Sequence, residues 1–95
     1  MRTYKCEDVT LSNGGIDCKG WLCNPQEKGK KPAILVLGPK DASKSMVLLQ
    51  YATRLANYGF VVLGIEETQN VKAAIDYLSL KDEVDPNKMY AMGIC

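Results

Sequence analysis

Cys95 has the clearest chemical potential in the chain, and it is reached through Tyr90-Ala91-Met92-Gly93-Ile94. A cysteine thiol, once ionised, is a nucleophile that can attack a carbonyl carbon and form a covalent acyl intermediate. A free thiol is mostly protonated near neutral pH. Ionising it takes a neighbouring base or the N-terminus of a helix behind the sulfur. The 95 residues contain no histidine. As written, Cys95 also bears the terminal carboxylate, whose negative charge disfavours a thiolate. The expectation is an isolated chain with no efficient catalysis of its own.

A second pattern points to different chemistry. Gly38-Pro39-Lys40-Asp41-Ala42-Ser43-Lys44-Ser45 approaches the phosphate-cradling pattern G-x-x-x-x-G-K-[ST], between an apolar run and a helical one. Ser43 occupies the position of the second glycine, where backbone must approach phosphate closely, and Pro39 lacks an N–H. A degenerate nucleotide-binding domain is therefore the alternative, against the plainer reading of Ser43 or Ser45 as a helix N-cap. Glu66 ends an apolar strand at the edge where parallel sheets build sites. The simpler expectation makes it the start of a helix with Glu67 and Thr68, where acids suit the helix dipole.

The other cysteines are Cys6, Cys18 and Cys23. There is no C-x-x-C pair, so the usual metal-ligand spacings are missing and no metal or other cofactor is expected. The opening Met1-Arg2-Thr3-Tyr4-Lys5-Cys6-Glu7-Asp8 is too polar for a secretory leader, which suggests the cytoplasm. Thiols there stay reduced, so these three are expected as free, small, half-buried strand residues. Twelve Lys and Arg against eleven Asp and Glu leave a net charge of +1. That balance gives no electrostatic case for nucleic acid or an anionic membrane. The longest apolar run, Ala33 to Leu37, is strand-sized and far too short to span a bilayer.

The elements that must position these residues follow from periodicity. Arg2 to Leu11 and Ile16 to Cys23 flank Ser12-Asn13-Gly14-Gly15, a strong hairpin signal, and Asn24-Pro25 ends the return strand. Ile16, Cys18 and Leu22 share one face of that strand; Asp17, Lys19, Trp21 and Cys23 share the other. Ala33 to Leu37 and Phe60 to Ile65 read as strands covered on both faces. Met46 to Tyr58 is a helix with Leu48, Tyr51, Ala52 and Leu55 on its buried side, closed by Gly59. The next helix buries Val71, Ala74, Ile75 and Leu78. Asp85-Pro86-Asn87 reads as a turn and Lys88 to Met92 as the last strand. The fold class is α/β: an N-terminal β-hairpin followed by β-α-β-α-β, with a mixed, mostly parallel sheet. It is expected as one domain, residues 1–25 forming the hairpin and 32–95 the core.

Several of these stretches resemble the dienelactone-hydrolase-like and acyl-thioesterase-like branch of the α/β-hydrolases. They are Leu11-Ser12-Asn13-Gly14-Gly15-Ile16 with Gly20-Trp21-Leu22, Tyr51 to Leu63, Val71 to Leu78, and Val84-Asp85-Pro86-Asn87-Lys88 leading to Gly93-Ile94-Cys95. In that family the nucleophile sits on a sharp strand-to-helix turn, G-x-S-x-G or its cysteine form. The resemblance implies an N-terminal half ending at the nucleophile position, Cys95, and a chemistry of ester or thioester hydrolysis. It also implies that the loop after the third strand supplies one oxyanion-hole N–H. Because Pro39 has none, Lys40 is the candidate donor. Three departures stand out: no acid and histidine follow Cys95, Ile65-Glu66-Glu67 runs almost directly into the next helix, and Gly38-Pro39-Lys40 replaces the family's His-Gly or His-Pro. The implied partner is a small-molecule ester or thioester once a C-terminal half completes the site. An apolar last strand at a sheet edge also implies self-association.

Overall fold

The computed structural model describes residues 3–13, 16–38, 46–66 and 71–93. Their elements run in the order β1 (Tyr4–Asn13), β2 (Ile16–Pro25), β3 (Lys31–Gly38), α1 (Met46–Asn57), β4 (Val61–Glu66), α2 (Val71–Ser79) and β5 (Val84–Gly93). The five strands form one sheet in the order β1-β2-β4-β3-β5. β1 and β2 pair antiparallel along their whole length, and β2 joins β4 antiparallel through Trp21, Leu22 and Cys23. β3 runs parallel to both β4 and β5.

The alternation of side chains along the strands divides the core into two layers. Leu11, Leu22, Ala33, Leu35, Val61, Leu63 and Ile65 face α2, which contributes Ala74 and Leu78. Cys23, Ile34, Val36 and Val62 face α1, which contributes Ala52 and Ala56. β3 and β4 are thus covered on both faces, which explains their unbroken apolar runs. Full burial of one such side chain, Leu35 or Leu63, contributes roughly 1.5–3 kcal/mol. The helices meet the sheet mainly through alanines, which lets their axes approach closely. Tyr51 and Ile75, expected in the helical stripes, are each 43% exposed, and Ala73 is buried instead. The contact face of each helix is rotated slightly from the one that hydrophobicity alone selects. Leu48 was also expected in the stripe, but its side chain lies outside what the structure describes.

Helix α1 ends as its sequence requires. Gly59 has φ 95°, a left-handed conformation that glycine adopts at little cost. The Gly59 N–H donates to the Ala56 carbonyl at 3.0 Å and the Phe60 N–H to Leu55 at 3.2 Å, the paired bonds of a Schellman motif. At the seam between β2 and β4 a different glycine matters. A Cβ on Gly20 would meet Ile65 Cγ2 at 3.1 Å, Leu63 Cδ1 at 3.2 Å and the Gly64 carbonyl oxygen at 3.3 Å, so a side chain there requires its neighbours to give by a few tenths of an ångström.

Three expectations are corrected. Asp85-Pro86-Asn87 does not precede the last strand but lies inside β5. The ladder shifts there: from Lys31↔Val84 the next pair is Ala33↔Met89, so β5 bulges. The Asn87 N–H donates to Asp85 Oδ1 at 3.0 Å within that bulge, so the turn chemistry read from the sequence survives inside a strand. Glu66 ends β4, paired with Gly38, and does not open a helix; α2 begins at Val71. Cys6 and Cys23 are not free thiols. They stand opposite each other in the β1–β2 ladder, Cα atoms 4.0 Å apart, and are joined by a disulfide.

Candidate functional site

The geometry that bears on the predicted chemistry is the carboxyl edge of the parallel strands. β3→α1→β4 steps to one side of β3, and β4→α2→β5 returns past β3 to the other side. Right-handed crossovers in opposite directions put α1 and α2 on opposite faces, and open α/β sheets as a class bind ligands at the strand ends where the direction reverses. Here that point lies between β3 and β5. Gly38 is beside Glu66 of β4, and Leu37 is paired with Gly93 of β5. Neighbouring strands in a sheet lie about 4.8 Å apart. The last described residues before Lys40 and Cys95, Gly38 and Gly93, therefore lie on adjacent strands within one residue of the same level. Lys40 and Cys95 themselves lie outside the described residues, as do Pro39, Lys44 and the remainder of the phosphate-loop-like segment 39–45.

The strand ends differ in packing. Gly38 is buried, whereas Gly93 is exposed. A Cβ on Gly93 would meet nothing within 4 Å among the described residues, and its φ is not positive.

Other polar features lie at the opposite end of the sheet. A groove of about 490 Å³ is lined by Tyr4, Gln50, Thr53, Arg54 and Asn57. Tyr4 pairs with Pro25, past the amino end of β4, so this groove does not open on the strand ends that carry the predicted site. Lys31 is 5% exposed at the amino end of β3, where its Nζ donates to the Gly29 carbonyl at 3.3 Å. It holds the β2–β3 connection rather than any reacting group. Among the described residues no cluster of three or more His, Cys, Asp and Glu is poised to hold a metal ion. No helix in them is long and apolar enough to cross a membrane.

Comparison with solved structures decides the fold. A dienelactone hydrolase-like promiscuous phosphotriesterase from metagenomic libraries superposes with a TM-score of 0.78 at 22% identity, over 97% of this chain and 49% of that one. The chain has the α/β-hydrolase fold. The chain spans about half the length of that phosphotriesterase. The crystal structure of hypothetical protein PA2218 from Pseudomonas aeruginosa matches with a TM-score of 0.75 at 28% identity, over 97% of this chain and 36% of that one. In sequence, the uncharacterized protein PA2218 is 30% identical over 109 aligned positions, covering 92% of this chain but 29% of its own length. The alpha/beta hydrolase gkaG of Penicillium citrinum is 39% identical over 56 residues, covering 55% of this chain and 13% of that protein. No family model matches the chain. This α/β-hydrolase fold thus spans well under two thirds of every relative named.

Sequence reasoning missed the Cys6–Cys23 pair. The signal was present: counting outward from the hairpin turn places residue 6 opposite residue 23. The assumption of a reducing compartment set it aside.

Proposed function

We propose that this chain is the N-terminal portion of an α/β-hydrolase that attacks ester or thioester carbonyls through the Cys95 thiol. The observation that carries the reading is the pairing of Leu37 with Gly93, which starts the Lys40 and Cys95 segments from adjacent strand ends. In this reading the Cys95 sulfur adds to the carbonyl carbon and the Lys40 backbone N–H donates to the oxyanion. Collapse of the tetrahedral species expels the alcohol or thiol and leaves an acyl-thioester that water then cleaves. The base that ionises the thiol and protonates the leaving group is a histidine, and the 95 residues have none. The isolated chain is therefore inactive. Against an activated thioester it should turn over no faster than free cysteine. Fused to a hydrolase C-terminal half that supplies an acid and a histidine, it should gain activity that Cys95→Ala abolishes. A fast isolated chain, or a fused protein indifferent to Cys95→Ala, overturns the assignment.

A second reading concerns association, favoured by one observation. β5 is an edge strand that carries Met89-Tyr90-Ala91-Met92, with Tyr90 57% exposed. An unpaired apolar edge of this kind recruits another strand. The isolated chain then self-associates through β5, which sedimentation across a concentration series detects. A monomer at high concentration removes this reading.

A further inference from the structure

The hairpin carries a second sulfur site on a strand pair remote from β5. Cys6 on β1 and Cys23 on β2 are directly opposed and disulfide-bonded. The pair faces α1, among Tyr4, Trp21, Leu55 and Phe60 and against Ala52 and Ala56. The two residues differ in exposure. Cys23 has no exposed surface, on a strand held between β1 and β4. Cys6 is only half-buried, on an edge strand paired on one side alone. A reagent larger than water reaches Cys6 first, and Cys23 is then the thiol already in bonding position.

We propose that Cys6 and Cys23 form a reversible thiol–disulfide couple, entered at Cys6 by a low-molecular-weight disulfide of the glutathione class. The Cys6 thiol gives its proton to solvent and its sulfur attacks one sulfur of the small disulfide RSSR. The Cys6–SR bond forms, the RS–SR bond breaks, and RS⁻ leaves to take up a proton. Cys23 then loses its proton and attacks the Cys6 sulfur. The Cys6–Cys23 bond forms and a second RSH departs. The protein yields two electrons and two protons, and RSSR is reduced to two RSH; excess RSH drives the reverse. Oxidation staples the outermost strand to its neighbour beneath α1. The couple is independent of the hydrolase reading, because neither sulfur belongs to the strand ends that build that site.

The experiment equilibrates the reduced, folded protein with a series of glutathione to glutathione disulfide ratios. Samples are quenched in acid, alkylated in denaturant, and read by intact mass and peptide mapping. Of the four cysteines, two should lose alkylation in one step as the disulfide fraction rises, with Cys6 linked to Cys23. In Cys23→Ala, one glutathione should be trapped on Cys6; in Cys6→Ala, Cys23 should remain unmodified while the protein is folded. Four alkylatable thiols at every ratio, or linkage to Cys18 or Cys95 instead, overturns the proposal. If neither variant folds, an early time point of the wild type decides it. Glutathione first on Cys6 supports the couple, and glutathione first on Cys23 refutes it.

Discussion

The two edges of the sheet are built on opposite principles. β1, at one edge, exposes Lys5, Glu7, Asp8 and Thr10, and its inner side is bonded to β2 through Cys6–Cys23. β5, at the other edge, exposes Tyr90 and Ala91 beside half-buried Met89 and Met92, and among the described residues β3 is the one strand paired with it. Charged side chains discourage a further strand from pairing, whereas a bare apolar edge invites one. By that criterion β1 resists a further strand more strongly than β5 does. This chain covers 49% and 36% of the two solved relatives.

The comparison can be broken most forcefully at the β1 edge. Reducing the Cys6–Cys23 bond releases a loop with a sequence separation of 17, which should cost about 3 kcal/mol. Denaturant unfolding with and without reductant measures this, and Cys6→Ser should make the reductant irrelevant. Equal stability in both conditions would mean that β1 is held by its ladder alone. Next comes the seam that ties the β1 side to the parallel half. Gly20→Val places methyl groups against Leu63 and Ile65 and should cost about 1–3 kcal/mol by thermal or chemical unfolding. The smallest effect on stability is expected at the β5 edge, where Tyr90→Lys should change unfolding by less than about 0.5 kcal/mol. It should nevertheless shift the sedimentation of the isolated chain toward monomer. Thr10→Lys, the same charge added to the β1 edge, should leave sedimentation unchanged. If both substitutions act alike, the two edges are equivalent and the contrast fails.

Much of the fold was legible because local signals were strong and agreed with one another. Asn13 and Gly14 between alternating strands specified the hairpin, Ala33–Leu37 and Val61–Ile65 the buried parallel pair, and Gly59 the end of α1. What the sequence could not carry was direction. Two crossovers are written in the order of strands and helices, but nothing in either helix says that the second returns past β3. The adjacency of Leu37 and Gly93 therefore came from topology alone. Pro86 misled for a physical reason. A proline removes one ladder hydrogen bond and reads as a terminator, yet an edge strand tolerates it within a bulge. Glu66 misled because an acid before a helix is favoured by the dipole, while pairing with Gly38 keeps it extended. Of the candidate site, the strand ends were found and their side-by-side placement was not.

The bulge in β5 also bears on how such a sheet tolerates changes of length. Between its two anchored pairs β3 advances by two residues and β5 by five. The surplus sits in Asp85–Lys88, away from any obligatory partner on the ladder, so the two ends of β5 keep separate phase. In an uninterrupted strand one inserted residue turns every later side chain to the opposite face. Here an insertion or deletion among residues 85–88 is absorbed locally. Met89 to Gly93 stay locked to β3, and the strand end at Gly93 keeps its bearing while the chain leading to it grows or shrinks.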